Sequence, residues 1–374
     1  MTANKLTDHQ LSDLISKFDI DAEIASVKPF GSGHINDTYR VFNTDADGHD
    51  YLLQRVNHYV FKNVPHLMGN LVRVTEHLKQ KLPSLSKDEL ERSVLTVIET
   101  REHYPYYLDG DGNYWRMFYF LKGTKSYDQV TTAKQAFEGG HAFGTFQALL
   151  SDLDAGKIKD TIPNFHNIEY RLNYLHNAAR ADKKNRVQYV AGELAFIQQH
   201  ANEMSEIMRL GKAGILPLRI VHNDTKFNNV LLDSEDKAQC VIDLDTVMPG
   251  YVAYDFGDSI RSIINTTAED EADTDMISLN IPLFEAYAKG YLKAAAGFIT
   301  DEEINSLIKG VLLLPYIQAV RFLSDYLEGD VYFKIHSPEH NLQRTKAQLT
   351  LVKKLLVAKE KLEEIIINNW NIVK

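Results

Sequence analysis

Asp224, Asn229 and Asp243 are the residues from which a chemistry can first be read, and they fall in "IVHNDTKFNNVLLD" (220–233) and "CVIDLD" (240–245). There a β-forming run breaks into a histidine, an aspartate, a lysine and three asparagines and then resumes. An ordinary hairpin has the same look, because Asn and Asp favour turns. Spacing separates the two readings. Phosphoryl transfer needs a carboxylate to receive or orient the proton of the attacking hydroxyl, and oxygen ligands to hold a metal ion against nucleotide phosphates. His222, Asp224 and Asn229 stand as H-x-D-x-x-x-x-N, and Asp243 ends the next β-run, nineteen residues beyond Asp224. Four positions thus agree with that chemistry in type, order and separation.

In this reading Asp224 is the base, Asn229 and Asp243 bind Mg2+, and Lys226 neutralises charge on the transferring phosphate. His222 braces the loop by hydrogen bonds. The letters Asp255-Phe256-Gly257 in "YDFGDSIR" imitate the metal motif of protein kinases, but Asp255 lies thirty-one residues after Asp224. Asp255 is instead expected to open a helix as an N-cap or to brace the loop. Asp245, two residues past Asp243, either assists the metal through water or is solvated.

The elements that must hold these residues form two groups. After an amphipathic first helix, "SVKPFGSGHINDTYRVFNT" and "DADGHDYLLQRVN" read as a meander of strands. "NVPHLMGNLVRVTEHLKQKL" has helical spacing of Leu67, Leu71, Val74 and Leu78, and "SVLTVIET" and "YWRMFYFLKG" add strands. From "TTAKQAFEGG" onward the pattern is helical except for strands between 218 and about 243. The fold expected is α+β and bilobal, protein kinase-like, with a small β-rich N-lobe over residues 1–123 and a larger, mostly helical C-lobe over 124–374. The first would bind nucleotide in an antiparallel sheet plus helix; the second would carry the catalytic loop and acceptor site.

"VHNDTKFNNVLLD", "VIDLDTVMPG" and "YVAYDFGDSIRS" resemble the aminoglycoside phosphotransferase and choline kinase-like superfamily, whose members phosphorylate small molecules. Within it the chain most resembles the bacterial N-acetylhexosamine 1-kinases. The likeness runs from "FGSGHINDTYRV" to "VRFLSDYLEGDVYFKI". It implies ATP and Mg2+ as cofactors and a sugar as acceptor. On the nucleotide side, Gly31, Ser32 and Gly33 make a turn whose amides can approach phosphates. "YLLQRVN" offers Gln54 and Arg55 in place of the familiar lysine; Arg55 is favoured as the phosphate cation, with Gln54 the alternative, because sequence alone does not fix which face meets the cleft. Phe120 and Leu121 of "MFYFLKG" stand at the hinge that would read adenine. For the sugar, the resemblance implies His34, Asp37, Arg321 and Tyr332. Arg321 can equally be bridged to Asp325, four residues on, and Tyr332 can equally be core.

Composition narrows the partners. With 41 Lys plus Arg against 51 Asp plus Glu, the formal charge is −10, which disfavours nucleic acid. The polar N-terminus lacks a signal-peptide core, and the longest apolar run, "GVLLLPYIQAV" (310–320), is too short for a bilayer and contains Pro315. The single cysteine, Cys240, is expected as a small buried hydrophobe, and the cytoplasm as the compartment. The activity expected is transfer of the ATP γ-phosphate to the anomeric hydroxyl of an N-acetylhexosamine. The alternatives are a kinase of homoserine, choline or aminoglycoside type, and a nucleotide-binding pseudokinase.

Overall fold

The computed structural model describes residues 6–31 and 35–374; Ser32, Gly33 and His34 lie outside the described residues. Thr7 caps α1 (Asp8–Ile15) in a reciprocal box with Gln10. There follow β1 (Ile24–Pro29), β2 (Asp37–Asn43), β3 (Tyr51–Val56), α2 (Val64–Lys81), α3 (Lys87–Ser93), β4 (Val97–Ile98), β5 (Tyr107–Leu108) and β6 (Tyr114–Tyr119). The strands form one antiparallel sheet in the order β1-β2-β3-β6-β4, with β5 also on β6.

Strand alternation gives this sheet two different faces. Tyr51, Leu53, Trp115 and Met117 turn to Leu11 of α1 and to Phe18. Leu52 and Phe118 turn the other way, onto Leu71, Val74 and Leu78 of α2. Register then sorts the two phosphate candidates, because Gln54 lies opposite Arg116 and Arg55 opposite Trp115. Arg55 therefore shares the α1 face, and Gln54 the α2 face.

The larger part holds α4 (Ala133–Leu149), α5 (Ile168–Ala181), α6 (Ala191–Met204), α7 (Glu206–Lys212), β7 (Arg219–Val221), β8 (Val230–Leu232), β9 (Ala238–Val241), β10 (Met248–Gly250), α8 (Val252–Ile263), α9 (Ile281–Ala295), α10 (Asp301–Glu328) and α11 (His340–Val373). The strands flanking the polar loop do not form the hairpin that their sequence resembles. β7 does not pair with β8; it pairs with β10, and β8 pairs with β9. The polar loop sends the chain from one two-stranded ribbon into another. The layout is α+β and bilobal, an antiparallel sheet beside a helical body, and the proposed boundary at 123 falls between β6 and α4. Phe118, Phe146, Cys240, Leu244 and Met248 share one apolar cluster across that boundary. Burial pushes the Cys240 thiol up to about 12, so it serves as a packed hydrophobe.

α10 is the central strut. Thr300 and Glu303 cap its start, and Gly329, at φ 100°, ends it in the left-handed conformation. By length and composition it could cross a membrane, but 83% of its most apolar window is buried inside the protein. Pro315 sits within it without ending it. α8 crosses α10 backbone to backbone, since a Cβ on Gly257 would collide with the Gly310 carbonyl and one on Gly310 with the Ala253 carbonyl. The glycine of the "DFG" letters is thus a packing residue.

Gly257→Ala is expected to lower the melting temperature, at a cost of roughly 1–3 kcal/mol for an overpacked contact. Gly69→Ala, inside α2 where a new Cβ meets nothing within 4 Å, is expected to raise it, with a gain in stability of roughly 0.5–1 kcal/mol. Thermal melts of the two variants, moving in opposite directions, check the assignment.

Candidate active site

The catalytic loop is hung from one buried carboxylate. Asp255, in the first turn of α8, is wholly buried. It accepts the His222 amide at 2.8 Å, the Asn223 amide at 2.7 Å and the Gln147 Nε2 at 2.7 Å. Its own carbonyl takes the Thr225 hydroxyl at 2.6 Å. Burial pushes its carboxyl up, and the donors pull it back toward the anion. These bonds hold Asn223 in the left-handed region, φ 66°, where the chain swings out of β7. Asp255 is a brace, as expected, and so is His222: its Nε2 donates to the Ile242 carbonyl at 2.9 Å, and its Nδ1 accepts the Asp224 amide at 3.3 Å. From α5's approach, His166 Nε2 donates to the Asn223 carbonyl at 2.9 Å.

Asp224 emerges half-buried from this frame. Its carboxylate is 3.2 Å from Lys226 Nζ, and Asn229 Nδ2 donates to its carbonyl at 2.8 Å. Burial is the largest single effect and works against its charge, but Lys226, first among the positive groups around it, together with the others holds the carboxyl below the ordinary range. Lys226 is raised in turn, chiefly by Asp224. Asp243 follows β9 with φ 60° and is open to the cleft. Protein crowds it all the same, and that loss of bulk water, followed by the charges of Asp245 and Asp224, pushes its carboxyl up to about 6. Among the described residues no group donates to the Asp243 carboxylate or to the Asn229 amide oxygen. Two hard oxygen donors beside crowded negative charge fit Mg2+, which usually takes one or two protein ligands and completes its shell with phosphates and water.

Asp245 plays neither role expected of it. It is buried and receives Arg116 on both oxygens, Nη2 at 2.9 Å from Oδ2, together with Asn36 Nδ2 at 2.9 Å. Arg116 Nε donates to Gln54 at 3.0 Å, and Gln54 Nε2 to Thr38 at 3.1 Å. Arg116, which sequence reasoning missed, therefore ties the sheet to the loop that carries Asp243. Arg55 does not reach the cleft: its Nε pairs with Asp37 at 2.8 Å across β2 and β3, over the Trp115 ring. That pair occupies the Asp37 carboxylate, which the resemblance had assigned to the sugar. Gly31 adopts φ 79° with open space around its Cα. Phe120 packs edge-on to Phe30 at 5.2 Å and gives its amide to Asp50, while the Leu121 carbonyl takes the Thr124 hydroxyl.

On the other side of the loop, Arg321 is not bridged to Asp325. Asp325 is occupied by the amides of Val331, Tyr332 and Phe333 and by Asn341. Arg321 instead lies over the rings of Phe165 and Phe333 at 5.2 and 5.5 Å. Tyr332 is exposed rather than core. A cavity of about 400 Å³ flanks Lys226, lined also by Arg261, Thr266, Glu269 and Gln348; Arg261 there is neutralised by Asp258 and Glu269.

A model of the phosphotransferase enzyme family matches residues 26–296, so the chain belongs to that family. Its fold is that of an aminoglycoside phosphotransferase from Alicyclobacillus acidocaldarius (13% identity, TM-score 0.63, 98% of each chain covered). It is similar also to a microcompartment-associated aminopropanol kinase (17%, 0.62, 97% of this chain and 100% of that one). A spectinomycin phosphotransferase solved with ADP and spectinomycin matches at 13% identity and TM-score 0.57, over 96% and 100% of the two chains.

Asp255→Asn turns an amide nitrogen toward backbone donors and is expected to cost roughly 1–3 kcal/mol in a thermal melt. Asp243→Asn removes a carboxylate that is disfavoured without a cation, so it should leave the melt unchanged or raised while abolishing magnesium-dependent turnover. A separate test concerns His166, which burial holds down at about 3. Because that lies below the unfolded value, its contribution is complete above about pH 6.5 and is lost as pH falls toward 3. By pH 5 the wild type should lose roughly 2 kcal/mol more than His166→Gln, read from paired denaturation curves.

Proposed function

We propose that the chain is an ATP- and magnesium-dependent kinase that phosphorylates the anomeric hydroxyl of an N-acetylhexosamine, giving the 1-phosphate. The observation that carries the kinase reading is Asp224, held ionised by Lys226 and anchored by Asn229, facing the unpartnered carboxylate of Asp243. ATP with its metal would supply an activated phosphoryl group whose charge is partly neutralised. The chain's own residues do the rest. Asp224 orients the hydroxyl and takes its proton, Lys226 meets charge on the transferring group, and no covalent intermediate is needed. An anomeric hydroxyl suits a single carboxylate because the ring oxygen withdraws electrons and makes it more acidic than other sugar hydroxyls.

The acceptor reading rests on the family likeness and on Arg321, which offers its guanidinium beside Phe165, Phe333 and the exposed Tyr332. Such a wall fits a neutral polyhydroxyl compound better than an amine, which favours acids or aromatic cages free of cations. Amine-type acceptors, as the names of the aminopropanol and aminoglycoside enzymes suggest, are the second reading, since the catalytic loop itself does not read the acceptor. A buried, unpaired Cys240 fits a reducing compartment such as the cytoplasm.

An ADP-release screen over amino sugars, neutral sugars, choline, homoserine and aminoglycosides tests the reading. With N-acetylglucosamine or N-acetylgalactosamine, phosphorus NMR should show coupling to the anomeric proton, and Asp224→Asn should lower kcat roughly 10²–10⁴-fold with ATP affinity nearly unchanged. Phosphate on carbon 6, or faster turnover of choline or homoserine, would replace the sugar while leaving the kinase in place.

A further inference from the structure

Next to the proposed acceptor wall stands an arginine that neither the motif spacing nor the family likeness singled out. Arg171, on α5, donates its Nε and Nη2 to the Phe165 carbonyl at 3.3 and 3.2 Å. Arg321, on α10, covers the ring of the same Phe165. The two guanidiniums are thus gathered on one residue from two helices. His166, the next residue, bonds the Asn223 carbonyl, which places the pair beside the segment that carries Asp224.

What distinguishes this pair is the lack of an acid. Both arginines are half-buried, a setting in which a guanidinium ordinarily has a carboxylate partner. Among the described residues, Arg171 has only a carbonyl and the Tyr170 ring, and Arg321 only the Gln318 amide oxygen at 2.6 Å and two phenyl rings. Asp325, four residues from Arg321, is spent on its own loop, and Glu169, two residues from Arg171, pairs with Lys212. Burial, and then the charge of Arg321, lower Arg171 to about 10. The other groups acting on it are phenols, Tyr332, Tyr170 and Tyr174, all partly exposed.

We infer that Arg171 is a specificity-determining residue: with Arg321 it gives the acceptor side an uncompensated positive charge that admits the uncharged N-acetyl form of an amino sugar and turns away the protonated amine. This rests on the proposed sugar kinase activity and names the feature that selects within it. An acetamide carbonyl can accept from a guanidinium, whereas an ammonium can only repel it. At separations of several ångströms and an effective dielectric of about 20, one such repulsion is worth roughly ten- to hundredfold in affinity. The exposed Tyr170 and Tyr174, stacked at 6.4 Å, add apolar surface for a sugar ring at the same rim.

The test compares kcat/KM for N-acetylglucosamine and glucosamine, with ATP saturating, in the wild type, Arg171→Gln and Arg171→Lys. The wild type should favour the acetylated sugar, mostly through KM. Arg171→Gln should narrow the preference roughly tenfold by lowering the glucosamine KM, and Arg171→Lys should restore it. Raising salt should also narrow the wild-type ratio, which needs no variant and so stands even if Arg171→Gln folds poorly. An unchanged ratio in a folded Arg171→Gln, or a wild-type preference for glucosamine, overturns the inference. If neither sugar is turned over, the sugar reading fails by itself, and the charge filter is judged by the acceptor screen: choline or aminopropanol among the best acceptors refutes it, and neutral or acidic compounds ahead of amines support it.

Discussion

The geometry of the cleft depends on the carboxylate of Asp255, buried at the start of α8 and receiving two consecutive loop amides. A loop built from polar residues between two short strands has no reason of its own to hold one shape. Two amides fixed on one carboxylate supply that reason, because unpaired buried backbone donors are costly. The Thr225 hydroxyl on the Asp255 carbonyl and the Ser259 hydroxyl on the Thr225 carbonyl stitch the loop to the first turns of the helix. α8 is in turn pressed against α10 at Gly257 and Gly310. The rigidity of the core strut is thereby passed to Asp224 through one acid that never meets substrate.

A second buried contact sets the metal side. Arg116 on β6 and Asp245 beyond β9 are both nearly inaccessible and bonded on both carboxylate oxygens. Such a pair adds little net stability, but removing one partner leaves the other charge stranded, at a cost of about 3–5 kcal/mol. Its value is therefore positional. Asp245 is only two residues from Asp243, so fixing it to the sheet fixes where Asp243, the proposed metal ligand, stands relative to the small lobe. Gln54 and Asn36 complete the network, and the sheet and the loop that carries Asp243 become one connected polar structure.

These two contacts also explain what could be read in the sequence. Asp224, Asn229 and Asp243 could be proposed as base and metal ligands because they lie close along the chain, where spacing alone encodes their relation. Asp255 was legible by distance from them. Arg55 was misplaced because a strand's face is decided by its neighbours in the sheet: only the register against Trp115 and Arg116 shows that Arg55 turns to α1 and Gln54 to α2. The hairpin failed for a related reason, since β7 and β8 each found a partner closer in space than each other. The Arg321–Asp325 bridge obeyed helical spacing and still did not form, because three loop amides hold Asp325 more completely than one guanidinium would. α3 left no apolar trace, as none of its residues is buried.

The same division between local and distant determinants bears on the acceptor. The catalytic loop is a short-range device, and its residues would serve any hydroxyl brought to Asp224. Selection must then come from walls assembled out of separate helices, where sequence spacing carries no signal. Arg171 on α5 and Arg321 on α10 are 150 residues apart in the chain and meet only through Phe165. A wall whose cations have no acid beside them would discriminate by charge before it discriminates by shape. Within one fold, replacing such a wall with acids would reverse the preference toward amines while leaving Asp224, Asn229 and Asp243 untouched. Resemblance centred on the catalytic loop can therefore establish phosphoryl transfer firmly and yet leave the acceptor to be decided by a few residues outside it.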